Sequence, residues 1–280
     1  MIKNRFRFEN TQLPVSICFR RSFTMDVLIK DSEVLNDLLG YEGLKIIQEP
    51  NRFNFSLDST LLAHFVKINK HSNRFIDLCT GNAPIPLMLT LRTDASIEAV
   101  ELQDESANQA MRSVAINKLE NQIKIYHRDL IGIHKELGTG SYDVVTCNPP
   151  YFKVGPESNL NKNDALTMAR HEVTVTMDDI VREVALLLRV GGHFAMVHRP
   201  ERLVEIVSTF KKYRLEPKRL RFIFPRLGKE ANGILIEGVL DGKANGLRIE
   251  SPLVVYEGKS ANYTQEILEI FNMKRKDEVD

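Results

Sequence analysis

The residues best equipped for chemistry are Asn148-Pro149-Pro150-Tyr151, at the end of the apolar run Val144-Val145-Thr146-Cys147. Two successive prolines remove two backbone donors and fix φ twice, so neither strand nor helix continues through them. Each residue that precedes a proline is pushed toward extended geometry. The result is a stiff elbow at the carboxyl end of a buried strand, where open α/β sheets bind their ligands. Such an elbow aims the Asn148 side-chain oxygen and the Pro149 carbonyl at one point, with the Tyr151 ring beside them. Two acceptors and a ring suit a planar amino group: the acceptors take its two N–H bonds, and the ring stacks on the base or amide that carries it. The chemistry expected is methyl transfer to an amino nitrogen. An Asn-Pro turn that merely closes a strand is the plainer alternative, and the loop upstream weighs against it.

That loop is Cys79-Thr80-Gly81-Asn82-Ala83-Pro84, between the short apolar strand 74–78 and an apolar helix over 85–91. Gly81 permits a tight turn and a close approach of backbone to ligand. Pro84 and Pro86 fit only the first turn of a helix, where N–H groups lack partners. Strand, glycine turn and helix make a nucleotide-type loop, which a dinucleotide dehydrogenase would share. Ala83 stands where such loops often carry a second glycine. A second strand, 97–101, ends in Glu101, placed to accept both ribose hydroxyls of an adenosine or else to be a solvated strand end. Asp129, after a third strand at 123–126, stands where an adenine amino group is read, or caps a turn.

Positioning these groups takes a parallel sheet, and the pattern supplies one. Strands are expected at 74–78, 97–101, 123–126, 142–147, 193–197, 219–224 and 234–239, with helices between most of them. Thr176 with Asp179 forms a capping box for the helix that carries Ile180, Val184, Leu187 and Leu188; Gly191-Gly192 is read as its stop. The fold class is α/β: one doubly wound, Rossmann-like sheet of seven strands, mostly parallel with an antiparallel last strand. A small N-terminal cap precedes it, with a strand at 43–48, another at 53–58 and a helix at 60–66 that Ser56, Asp58 or Ser59 caps. The expected boundaries are a basic extension 1–24, the cap 25–70, the main domain 71–260 and a polar tail 261–280.

Composition excludes several classes. With 38 Lys and Arg against 37 Asp and Glu, the net charge of +1 gives no general affinity for polyanions, so a nucleic-acid surface must be a local patch. One candidate is 199–230, where ten Lys or Arg meet four Glu; phosphate contact by about half of these cations is the functional reading. No apolar run reaches bilayer length, so no membrane span is expected. Cys18, Cys79 and Cys147 are odd in number and far apart, which points to a reducing cytoplasm without disulfide or zinc. The first 24 residues carry five Lys or Arg against Glu9. They read as an RNA-binding arm, a disordered tail or, the favoured expectation, translated upstream sequence with the native start at Met25.

Asp77-Leu-Cys-Thr-Gly-Asn, Glu101 and Asn148-Pro-Pro-Tyr, in this order, resemble the class I S-adenosylmethionine-dependent methyltransferases of the N6-adenine type. Gly43-Leu-Lys-Ile-Ile-Gln, Phe55-Ser-Leu-Asp58, Ile85-Pro-Leu, Arg170-His-Glu, His198-Arg-Pro and Gly228-Lys-Glu-Ala-Asn narrow the resemblance. It falls on the bacterial tRNA adenine-37 N6-methyltransferases that modify valine tRNA, especially their Gram-positive branch. The resemblance covers roughly 26–260. It implies that Asp77, Gly81 and Asn82, with Cys79 and Thr80, hold the methionine moiety. By the same resemblance Glu101 with Leu102 takes the ribose, and Asp129 with Leu130 flanks the cofactor adenine. Asn148, Pro149, Pro150 and Tyr151 would hold the target base, with Asn148 also bordering the cofactor, and Phe152, Arg170, His171, Arg199 and Lys229 would meet the rest of the substrate. His171 also fits a purely structural role. The partner implied is tRNA, with no metal and no membrane, acting as a monomer or weak homodimer in the cytoplasm. Rival acceptors are guanine N2 of ribosomal RNA and a release-factor glutamine; a nucleotide-binding module without catalysis and a dehydrogenase are further alternatives.

Overall fold

The computed structural model describes residues 29–38, 41–50, 57–150 and 175–271. Tyr151, Phe152, Arg170, His171, Cys18, residues 53–56 of the strand expected over 53–58 and the basic first 24 residues lie outside them.

Short β-branched runs bounded by Gly, Asn and Asp form the central sheet. Its main strands are β3 (Arg74–Leu78), β4 (Ser96–Glu101), β5 (Ile123–His127), β6 (Tyr142–Cys147), β7 (Leu188–His198), β8 (Leu215–Phe224) and β9 (Gly233–Leu240). They lie in the order β8-β9-β7-β6-β3-β4-β5. β9 runs antiparallel to β7 and β8, while the remaining neighbours are parallel. The seven expected strands are present, and two short ones, β10 (Arg248–Ile249) and β11 (Leu253–Val254), extend the sheet by pairing with β8. Chain direction across the sheet reverses between β3 and β6, the switch point at which doubly wound folds open a crevice. There Leu78 is opposite Cys147, so the glycine loop and the Asn-Pro-Pro elbow leave the sheet side by side, about 4.8 Å apart.

Both faces of the sheet are covered. One carries α1 (Leu57–Phe65), α2 (Pro84–Leu89), α3 (Asp104–Ile116) and α7 (Gln265–Phe271); the other carries α4 (His134–Leu137), α5 (Met177–Leu187) and α6 (Leu203–Lys212). β6 is buried at every residue, as a strand covered on two faces must be. The capping box at the head of α5 is formed: Thr176 Oγ1 accepts from Asp179 N at 3.1 Å, and the Asp179 carboxylate accepts from Thr176 N at 3.2 Å.

Three expectations are corrected. Gly191-Gly192 does not stop α5, which ends at Leu187 and passes directly into β7. The two glycines lie in an irregularity between the pairs Tyr142–Leu188 and Val144–His193. A Cβ at Gly192 would sit 2.8 Å from Leu188 Cδ2 and 2.9 Å from the Arg189 carbonyl, so close packing is what excludes a side chain here. The expected strand over 53–58 does not reach its stated end, because Leu57 and Asp58 already belong to α1; of the three candidate caps, Asp58 and Ser59 are inside the helix and Ser56 lies outside the described residues. The described part of the N-terminal cap is packed on the main domain. β1 (Val34–Leu38) and β2 (Tyr41–Gln48) form a hairpin docked on α3 through Ser113 Oγ to Ile47 N (3.0 Å) and Asn117 to both backbone atoms of Lys45 (2.8 and 2.6 Å). α1 meanwhile joins the main core through Leu61, Leu62 and Phe65. Finally, the stretch after 260 is not simply a polar tail, because Ile267 and Ile270 of α7 are buried in the same core. Among the described residues no helix is long and apolar enough to cross a membrane.

Candidate active site

The β3–α2 loop is set by backbone geometry. Cys79, Gly81 and Ala83 all have left-handed φ values, of 56°, 60° and 70°. Only glycine adopts this region without cost, so a second glycine at 83 would be the relaxed choice; Ala83 bears roughly 1–2 kcal/mol of strain. The loop closes on itself and on β4: Thr80 N donates to Val100 O (3.0 Å), Gly81 N to Glu101 Oε2 (2.7 Å) and Ala83 N to Thr80 O (3.1 Å). These N–H groups therefore do not form the open row of donors that a dinucleotide pyrophosphate needs.

Two carboxylates stand at the strand ends. Asp77 is fully buried, and its Oδ1 accepts from Thr146 Oγ1 at 2.6 Å. Burial pushes its carboxyl up to about 7, against the opposing pull of the Thr146 hydroxyl and of the nearby Thr80 hydroxyl, which does not reach hydrogen-bond geometry. Glu101, also buried, takes the Gly81 N–H and the Gln103 N–H (2.9 Å), and burial raises its carboxyl as well. Neither carboxylate joins an ion pair among the described residues. Asp77 Oδ2 and Thr80 Oγ1 are buried atoms with no hydrogen-bond partner there. Buried polar atoms are nearly always bonded, and paired acids without cations favour a positively charged ligand with N–H and O–H donors. The sulfonium and ammonium groups of S-adenosylmethionine, with its ribose hydroxyls, fit that demand.

The other expected cofactor residues are gathered at this same end of the sheet. Asn82 is buried and donates its side-chain amide to Ile47 O (2.8 Å), which ties the N-terminal hairpin to the loop. Leu102 is exposed beyond Glu101, Leu130 is buried, and Asp129 is exposed with Oδ1 accepting from Ile131 N at 2.9 Å. Asp129 thus does cap a turn, just beyond the carboxyl end of β5.

At the elbow, Asn148 is half-buried, Pro149 buried and Pro150 exposed. Asn148 Nδ2 donates to Ser59 Oγ of α1 at 3.0 Å. This bond engages the donor end of the amide and so fixes the side chain's orientation about its acceptor oxygen. Ser59, 3% exposed, was legible only as a possible helix cap. Thr146, the partner of Asp77, had no signal beyond being a hydroxyl inside an apolar strand.

Next to the elbow, β7 ends in His198, whose Nδ1 accepts from Arg199 N at 2.7 Å. Burial, with Arg202 near, lowers this imidazole to about 4, so it is neutral at physiological pH. Arg199 donates to Asn232 O (2.7 Å), and Lys229 is exposed in the β8–β9 loop at the same end of the sheet. The basic stretch 199–230 is not one surface. Arg202, Lys211, Lys212, Arg214, Arg219 and Arg221 pair with Glu205, Glu216, Asp178, Asp241, Glu250 and Glu266 respectively. Lys218 lies toward the opposite end, near the start of β8. Arg199, Arg226 and Lys229 follow the carboxyl ends of β7 and β8, at the same end of the sheet as the elbow.

With this geometry in place, comparison with known proteins is informative. The model of the methyltransferase small domain matches residues 51–222, more than half of the chain. The chain is 30% identical over 181 residues to the tRNA1(Val) (adenine(37)-N6)-methyltransferase of Aeromonas salmonicida, covering 64% of this chain and 73% of that protein. It is 27% identical over 180 residues to the enzyme of the same name from Parabacteroides distasonis, covering 64% and 74%. In fold it is similar to the crystal structure of a predicted O-methyltransferase from Agrobacterium tumefaciens (TM-score 0.62, 22% identity, 78% of this chain and 97% of that one). It is also similar to P. horikoshii TYW2 in complex with MeSAdo (TM-score 0.54, 13% identity, 76% and 73%). The chain is a methyltransferase, and it belongs to the methyltransferase small domain family alongside the tRNA1(Val) (adenine(37)-N6)-methyltransferases.

Proposed function

We propose that this site transfers the methyl group of S-adenosylmethionine to the exocyclic N6 of adenine-37 in valine tRNA. The observation that carries the reading is the adjacency, across β3 and β6, of a buried acid pair and an Asn-Pro-Pro elbow. S-adenosylmethionine supplies an electrophilic methyl carbon on a sulfonium. Asp77, Gly81 and Asn82, with Cys79 and Thr80, hold its methionine end; Glu101 and Leu102 meet the ribose, and Asp129 and Leu130 flank the adenine.

The adenine amino nitrogen is a poor nucleophile because its lone pair is delocalised into the ring. The Asn148 oxygen and the Pro149 carbonyl accept its two N–H bonds, draw the nitrogen toward sp³ and steady the positive charge that builds on it. Ser59 keeps the Asn148 amide turned the right way. No strong base is needed, because the N–H proton leaves after transfer, when the nitrogen has become acidic. Positioning of the two reacting atoms supplies most of the rate. Tyr151 stacks on the extruded base in place of its lost neighbours, and Arg199 and Lys229 take phosphates of the anticodon arm.

The loop's internally satisfied N–H groups disfavour a dehydrogenase. Guanine N2 and a release-factor glutamine share the acceptor chemistry, but the relatives' names favour adenine-37. Tritiated-methyl transfer tests the reading with four acceptors offered in parallel: valine tRNA, the same tRNA with guanine in place of adenine-37, ribosomal subunits and release factor. Label on the unaltered tRNA alone is the expected result; equal label on the guanine-substituted transcript would overturn it.

A further inference from the structure

We propose that the opposite, amino end of the sheet holds a second site, which binds a phosphate-bearing anion. A cleft of about 600 Å³ opens there between the end of α1 and the β7, β8 and β9 strands. Its walls carry Lys67, Arg92, Lys218, Arg219 and Arg248 against only Glu237 and Glu250. An excess of three positive charges in one cleft stands out in a chain whose total is +1.

The two acids are already engaged, and largely by one cation. Buried Glu237 accepts from Lys67 N (2.8 Å), approaches His193 Nδ1 (3.3 Å) and meets Arg219 Nη1 (3.4 Å). Glu250 accepts from Arg219 Nε at 2.7 Å. Arg219 is further fixed by Phe65 O (2.9 Å) and by the Phe65 ring beneath it. Arg92 joins no ion pair among the described residues; the Ala63 and Val66 carbonyls at the end of α1 hold it in place. Burial, with Arg219 near, lowers its guanidinium to about 10 against the opposing pull of Glu237. Lys218 is anchored on the Asn245 carbonyl (2.7 Å), and Arg248 is 75% exposed and 4.0 Å from Glu250. Backbone carbonyls orient these cations without neutralising them. Like charges gathered in a concave, partly desolvated wall raise the local potential and attract a multivalent anion. Phosphate, with several acceptor oxygens, matches forked guanidinium donors.

The cleft is separate from the methyltransferase site. His193 lines it, while His198, five residues further along β7, adjoins the elbow, which sets the two roughly 17 Å apart. A phosphate can reach it from a small phosphorylated molecule or from tRNA backbone distant from the methylated base.

The test uses the full chain and a Lys67→Gln/Arg248→Gln variant, whose altered side chains are exposed, with sodium pyrophosphate as the probe. A saturable rise in Tm is expected for the unaltered protein, and at least ten-fold more pyrophosphate for the same rise in the variant. Filter binding of valine tRNA identifies the source. An RNA phosphate predicts weaker binding by the variant and a salt slope smaller by about one to two; a small ligand predicts unchanged tRNA binding with the pyrophosphate difference intact. A variant that matches the unaltered protein in both pyrophosphate response and tRNA affinity would overturn the proposal.

Discussion

The two ends of the sheet handle charge in opposite ways. At the carboxyl end Asp77 and Glu101 are buried with no cationic side chain paired to either among the described residues. At the amino end five cations face two acids that Arg219 already engages. In between, cations such as Lys212 and Arg221 are paired with acids, here Asp178 and Glu266. A fold that neutralises its ordinary surface charges but leaves opposite excesses at its two ends is adapted to ligands of opposite sign. The carboxyl end calls for a cation, and S-adenosylmethionine is one; the amino end calls for an anion.

The largest effect is expected where chemistry, and not charge, is removed. Asn148→Ala deletes one acceptor on the adenine N–H and should lower kcat by roughly 10²- to 10³-fold, with S-adenosylmethionine affinity nearly unchanged. Single-turnover methyl transfer and calorimetric cofactor titration separate the two. A parallel loss of cofactor affinity would assign Asn148 to cofactor binding and break the division of labour between loop and elbow.

Charge at the carboxyl end is probed by pH. In the folded chain Asp77 keeps its proton to about 7, against an ordinary carboxyl value of 3.8. Between these values the native state binds more protons than the unfolded one, so stability falls as pH rises through that window and levels off above it. The cofactor favours the ionised acid, so its affinity moves the other way and should rise roughly ten-fold from pH 6 to 8. Asp77→Asn should flatten both curves while weakening binding throughout. A cofactor affinity in the unaltered protein that is flat across this range would remove Asp77 from the cation site.

Much of this arrangement is readable from local pattern. The run 142–147 has the composition of a two-face-buried strand, the prolines after it leave the chain one geometry, and Thr176 with Asp179 announces a helix start. What is not readable is any pairing across long separations. Ser59 and Asn148 are 89 residues apart, and nothing in either segment names the other. The salt bridges that consume the 199–230 cations come largely from Asp178, Asp241, Glu250 and Glu266, outside that stretch, so a charge count within it overstates the free surface. Gly191-Gly192 misleads for a related reason. A glycine pair after a helical pattern resembles a stop, and only the closeness of Leu188 and Tyr142 shows that it serves close packing inside a strand.

The Ser59 bond sharpens the comparison at smaller scale, since it positions the elbow without adding charge. Ser59→Ala removes one hydrogen bond, worth about 1–1.5 kcal/mol, and frees the amide to rotate. A fall in kcat of roughly five- to ten-fold is expected, with cofactor affinity unmoved. Ser59→Thr, which retains the hydroxyl, should restore most of the activity. In the Asn148→Ala background the same change should add little, because the group it orients is gone. An additive loss would mean that Ser59 matters to the packing of α1 and not to the amide.

The smallest effect should come from Ala83→Gly, and its sign is informative. Left-handed φ at Ala83 is strain that glycine relieves, but glycine also enlarges the unfolded ensemble by about 0.5–1 kcal/mol. The two nearly offset, which leaves at most about 1 kcal/mol of stabilisation, or roughly 2–4 °C in Tm for a chain of this size. If the methyl narrows the loop on the ligand side, cofactor affinity rises by a few-fold in the same variant. If instead the methyl serves as core at the head of α2, where Ala83 is fully buried, Tm falls while affinity stays constant. Thermal denaturation with and without S-adenosylmethionine distinguishes these outcomes, since a ligand-side effect enlarges the cofactor-induced shift and a packing effect moves both curves together.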